Sequence, residues 1–186
     1  MSDEPASEQR LRRSGQNRRG PSEFTVICPG CGIELVAKDA SIADRFNASS
    51  ACLDLYWQLS AFTLSLDDPD FPHQLGVDSY AAQHSGLNVK PITTVFALVG
   101  LYLTFEKGYT GRAVQLAHVK LGRKHINWPR FQAPDAKADV TVRDVLQRIT
   151  ASNYNEQLQR WGHSVWAIWQ SDHAKISNLV NSYLKD

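Results

Sequence analysis

The sequence predicts a mainly α fold: one helical bundle of about six helices with a small β-hairpin at its N-terminal end. Apolar residues recur at helical spacing along most of the chain beyond residue 50, and Ser, Asp, Pro and Gly punctuate them. Two short β-prone runs flank a Cys-Pro-Gly-Cys-Gly turn at residues 28–32. With 186 residues, 42% apolar, 21% charged and a net charge near +1, the composition is that of a single globular domain. It excludes collagen-like, repetitive and strongly acidic classes.

Taken in order, Thr25–Ile27 and Ile33–Val36 make the hairpin around the cysteine turn. Ser49 and Ser50 offer an N-cap for a helix from about Ala51 to Ser65, with Cys52, Leu55, Tyr56 and Leu59 at helical spacing. Asp67-Asp68-Pro69-Asp70 forms a turn, and Pro72 suits the first positions of a second helix that stops at Ser85-Gly86. Pro91 opens a third, apolar nearly all round and therefore central, which Gly108 caps after Lys107. A fourth helix runs from Thr110 to about Lys124. After an irregular Pro-containing stretch at 127–139, Thr141 and Asp144 form a capping box for a short helix to Ile149. One long helix, from about Ser152 to Tyr183, closes the chain with a stripe that includes Leu158, Trp161, Val165, Ile176 and Leu179.

Residues 1–23 are read as a disordered tail, with the domain at 24–186. The tail holds only one residue of the Leu/Ile/Val/Phe/Trp/Tyr group, too little to offset its ordering entropy. Arg10, Arg12, Arg13, Arg18 and Arg19 could contact phosphate, but without interleaved aromatics a solvated tail is the favoured reading, and nucleic acid ranks last among functions. The longest uncharged run, Pro91–Phe105, is 15 residues, short for a bilayer. Three cysteines cannot close a disulfide framework, so a reducing cytoplasm is the expected compartment.

Cys28-x-x-Cys31-Gly32 is the strongest chemical signal. Two thiolates at this spacing in a tight turn suit a tetrahedral zinc, whereas a redox dithiol would sit at the start of a helix rather than between two strands. Zinc needs two further ligands, and Cys52 is the remaining cysteine. If the first two helices form an antiparallel hairpin, residues lie level when their numbers sum to about 136. Cys52 then faces His84, while His73 falls about 16 Å away along the same helix. The expected zinc ligands are Cys28, Cys31, Cys52 and His84.

His73, Val77, Tyr80 and His84 share one helical face. They could line a polar groove, with His73 as general base and Tyr80 as acid, in a hydrolase or transferase. The favoured alternative is a stripe hydrogen-bonded against neighbouring helices, since no carboxylate is spaced to orient His73. His118, His125, His163 and His173 lack ligand spacing and read as structural or surface residues, and Trp161, Trp166 and Trp169 read as core.

Cys28 to Gly32, then Ser49 and Cys52, then His73, Leu75, Val77, Tyr80, Gln83 and His84 together resemble a bacterial family of uncharacterised proteins, a domain of unknown function. Thr141–Val145 and Trp161–Trp166 fit the same pattern, and Ser85 departs from it where proline is expected. The resemblance implies a single domain with a Cys-x-x-Cys metal knuckle and special roles for Cys52, His73 and His84, and it implies no activity. The expected function is a zinc-stabilised interaction or adaptor domain binding a protein partner, because a fully occupied Cys3His site leaves no open catalytic position.

Overall fold

The computed structural model describes residues 24–38 and 45–184. The arginine tail, residues 1–23, lies outside them. Strands β1 (Thr25–Ile27) and β2 (Glu34–Val36) pair antiparallel with Val26 opposite Leu35. Seven helices follow: α1 (Ser50–Ser65), α2 (His73–Gln83), α3 (Pro91–Lys107), α4 (Gly111–Gly122), α5 (Val142–Leu146), α6 (Tyr154–Ile168) and α7 (His173–Tyr183). The domain is mainly helical with one small N-terminal hairpin, as the patterning predicts.

Local chemistry sets most boundaries. The Ser49 hydroxyl accepts from the Cys52 amide and starts α1, and the Thr110 hydroxyl accepts from the Ala113 amide and starts α4. Thr141 and Asp144 form the capping box of α5, and Gly108 ends α3 in the left-handed conformation at φ 68°. No described helix is long and apolar enough to cross a membrane.

The last helix differs from expectation. It breaks at Trp169 into α6, a 3-10 turn at Gln170–Asp172, and α7. Trp169 is fully buried, and the break folds both halves back so that each packs on α3. His173 secures the corner: its ring stacks on Trp166 at 3.7 Å, and its Nε2 lies 3.1 Å from the Trp166 carbonyl, which also accepts from the Trp169 amide at 3.1 Å.

Helix α3 is apolar and central, and α2 shares that position. Although α2 is poor in large apolar residues, it touches α1, α3, α4 and α6 and buries eight of its eleven residues. Small residues such as Ala81 and Ala82 let its neighbours approach closely. Its last residue is paired in two directions. Gln83 donates to the Val140 carbonyl (2.9 Å) and accepts from the Trp161 indole (3.0 Å), tying α2 to the loop before α5 and to α6. Burying α2 this deeply is what carries its C-terminus, and His84 with it, into the interior.

Candidate metal centre

The hairpin turn presents two sulfurs from one short loop. The Gly32 amide donates to the Cys28 carbonyl at 2.8 Å and the Cys28 amide to the Ile33 carbonyl at 2.9 Å, closing the turn. Gly32 sits at φ +79°, a left-handed position that favours glycine. Gly30 is required for a different reason. A Cβ there would fall 2.5 Å from His84 Cδ2 and 2.6 Å from the Asn47 carbonyl oxygen. The turn rests directly on the end of α2, and only a residue without a side chain lets it do so.

The third and fourth donors come from the paired helices α1 and α2. Cys52 Sγ lies 3.3 Å from His84 Nε2, Thr63 Oγ1 lies 2.7 Å from His73 Nδ1, and the rings of Tyr56 and Tyr80 stack at 4.0 Å. All three pairs obey the same level relation, so the helices form the antiparallel hairpin expected from their lengths. The ligand atoms of Cys28, Cys31, Cys52 and His84 all lie within 4.8 Å of one another, and all four residues are buried. The structure thus brings the four sequence-selected donors together from three separate segments, in an arrangement that suits a metal ion. His73 belongs to the far end of the same helix face.

Neighbouring groups orient the donors. His84 Nδ1 lies 2.9 Å from the Tyr80 carbonyl, which fixes the proton on Nδ1 and turns the lone pair of Nε2 toward the sulfurs. The Tyr80 ring stacks on the His84 ring at 4.0 Å, and its hydroxyl donates to Cys52 Sγ at 3.7 Å. The Asn47 amide donates to the His84 carbonyl at 2.8 Å. Lys137, from the irregular stretch before α5, reaches across the outside of the knuckle and donates to the Pro29 and Gly30 carbonyls at 3.1 and 2.8 Å.

The three thiols perturb one another. Hydrogen bonds from Cys31 and Cys52 hold the Cys28 thiol far below its usual range, against the opposing effect of burial. That first thiolate pushes Cys31 up to about 11, and Cys28 and Cys31 together push Cys52 up further. A thiolate on Cys28 thus opposes ionisation of the other two sulfurs. The same negative environment, after the larger effect of burial, raises the Tyr80 phenol.

The remaining candidates separate. Tyr80 is fully buried between Tyr56 and His84, and His73 is half-buried against Thr63, with burial lowering its basicity. His73 and Tyr80 both pack against α1, through Thr63 and Tyr56. His163 and His173 lie against Phe105 and Trp166. Sequence reasoning missed Lys137 and Asn47, and it named Gln83 only as part of the family pattern, without a role. Lys137 acts from more than a hundred residues away in sequence, and no spacing rule could have linked it to the knuckle.

No curated protein and no solved structure matches the chain. A family model does, over residues 26–170, a span that takes in the hairpin, all four clustered donors, and α1 through α6. The chain therefore belongs to the family described as Family of unknown function (DUF5946).

Proposed function

We propose that Cys28, Cys31, Cys52 and His84 hold one structural zinc ion, and that the domain is an interaction module whose hairpin the metal clips onto the helical body. The supporting observation is the closed donor set: three sulfurs and one imidazole nitrogen, buried, mutually within 4.8 Å and supplied by three segments. A borderline-soft ion preferring tetrahedral N/S ligation fits these donors, and a complete Cys3His shell leaves no position for substrate. The hairpin pairs over only three residues per strand, so it has little core of its own and gains its fixed position from the metal. Phe24 and Ile27 on the hairpin and Trp57 and Leu64 on α1 are large exposed apolar residues that a protein partner could cover.

Metal analysis of protein purified without a histidine tag is expected to give one zinc per chain. Cobalt exchanged into the site should show the intense visible bands of tetrahedral thiolate coordination. An absence of metal, or an octahedral cobalt spectrum, would remove this reading.

Lys137 provides a finer test. Zn2+ with three thiolates leaves a net charge of −1, and the Lys137 ammonium beside the knuckle carbonyls offsets it. Lys137→Met should weaken zinc affinity by about tenfold in a chelator competition, as outer-shell changes do. The visible cobalt spectrum should stay unchanged.

A further inference from the structure

Charge is unevenly placed along the chain. From Lys107 to Pro134 there are six Lys and Arg residues and no Asp or Glu. Two of the six are engaged locally: Arg112 donates to Gln115 and lies over the Phe71 ring, and Arg130 donates to the Leu87 carbonyl. The other four, Lys107, Lys120, Arg123 and Lys124, are exposed. Lys107 ends α3 just before α4 begins, with its ammonium over the Tyr102 ring at 5.5 Å. Lys120, Arg123 and Lys124 gather at the opposite end of α4, a helix of twelve residues and about 18 Å.

Between these two basic ends lies a groove of about 350 Å³. Leu103 of α3, Ala113, Leu116 and Ala117 of α4, and Val180 and Leu184 of α7 make it apolar. Leu103, Ala117 and Val180 are buried and form its floor, while Leu116 is 60% exposed and stands on its rim. The polar groups of its wall are Lys107, Tyr109, Lys120 and Asn181, and no carboxylate lines it among the described residues. Glu106, next to Lys107 in sequence, accepts from the Trp166 indole at 2.9 Å. Around α4, Leu116, Lys120 and Arg123 fall within about 60° of one another, so apolar and basic residues share one face.

We propose that this groove binds an acidic amphipathic helix of a partner protein, its apolar side chains entering between α4 and α7 and its carboxylates meeting Lys107 at one end and Arg123 and Lys124 at the other. Charge complementarity selects the occupant: a wall with cations and no carboxylate attracts an acidic partner and repels a basic one. A flat anionic membrane would reach the cations but not the recessed Leu103 and Val180. Nucleic acid would leave the apolar groove and Leu116 uncovered. About three turns of partner helix would span the length of α4. This extends the interaction-module reading to another face and does not depend on the metal, so its failure leaves the zinc test untouched.

The test titrates the zinc-loaded full chain with a designed peptide of sequence EEALAALLAAEE, whose leucines share one helical face, and reads two-dimensional amide NMR. Resonances of α4 and α7 should shift, saturating near millimolar concentration for so short a peptide. The same peptide with Lys in place of every Glu, and one with Ser in place of every Leu, should each bind at least about tenfold more weakly. Leu116→Ser should weaken the acidic peptide by about tenfold. The double variant Lys107→Glu with Arg123→Glu should weaken it by at least about tenfold and strengthen binding of the Lys-containing peptide. Zinc content and melting temperature should stay at the wild-type level in that variant, since both residues are exposed. No binding by the acidic peptide, undiminished binding in the double variant, or shifts confined to the arginine tail would overturn the proposal. Tighter binding of the same face to vesicles of phosphatidylserine and phosphatidylcholine, or to a single-stranded oligonucleotide, would overturn it by making the face a phosphate-binding surface. Self-association of the chain that the double variant abolishes would overturn it by assigning the groove to a second copy.

Discussion

Cys52→Ser is expected to release the metal and to lower the melting temperature by more than about 10 °C. Cys52 is fully buried, 3.8 Å from Cys31 Sγ and 3.3 Å from His84 Nε2, so it joins the knuckle to the helical hairpin. Structural zinc in small domains contributes on the order of 10 kcal/mol of apparent binding energy. Losing even about 4 kcal/mol of that, at roughly 2–4 °C per kcal/mol for a domain of this size, gives a shift of this order. The amide of residue 52 would still reach the Ser49 cap, so α1 itself should persist. His84→Ala should also lose tight zinc binding, because three thiolates then hold the ion with one position open. His73→Ala should leave zinc content unchanged and cost only the hydrogen bond to Thr63, about 1 kcal/mol. Zinc retained by Cys52→Ser, or lost from His73→Ala but kept by His84→Ala, would overturn the four-ligand site. Acidification should release the ion as well, since its thiolate ligands must be deprotonated to bind.

Gly100→Ala should be strongly damaging although it lies outside the candidate metal centre. A Cβ at Gly100 would lie 2.0 Å from Asp78 Oδ2 and 2.5 Å from Asp78 Cγ, and the carboxyl is already enclosed on its other sides. Overpacking of this kind costs about 3 kcal/mol, or about 6–12 °C in melting temperature. Combining it with Asp78→Ala removes the clashing group, so the double variant should recover most of the loss; additive effects would show that the strain lies elsewhere. Asp78→Asn tests the carboxyl by a separate route. Because burial raises its folded pKa above the unfolded value, its contribution is fully present below about pH 4 and is lost as pH rises through the folded pKa. His118 has the opposite slope: its folded pKa is depressed, so its contribution is present above about pH 6.5 and is lost as pH falls toward 4. The stability difference between Asp78→Asn and wild type should therefore grow in favour of the variant as pH rises from 4. A flat difference would mean that Asp78 is ionised in the fold without penalty.

Much of this protein could be read from its residues because the governing interactions are short-range in sequence. The Cys28–Gly32 turn, the Ser49, Thr110 and Thr141 caps and the Gly108 stop each involve groups within a few positions of one another. The Cys52–His84 pairing was also accessible, since two helices joined by a tight turn are geometrically constrained. Fixed rise per residue then dictates which side chains lie level.

What the residues alone did not show depends on burial contributed by distant segments. The stripe along residues 152–183 is consistent with one helix; the break at Trp169 arises because a bent pair covers α3 better than a straight rod can. Helix α2 carries too few large apolar residues to announce itself as a core helix, and only the closure of α1, α3, α4 and α6 around it buries Asp78. His118 reads as an ordinary histidine until Phe96 packs against it and its Nε2 is closed off from solvent. Local spacing thus determined the clustered Cys and His residues and the helices that carry them. The Lys137 brace and the ionisation of the buried acid were decided by tertiary packing, because desolvation depends on everything that surrounds a group and not on its neighbours along the chain.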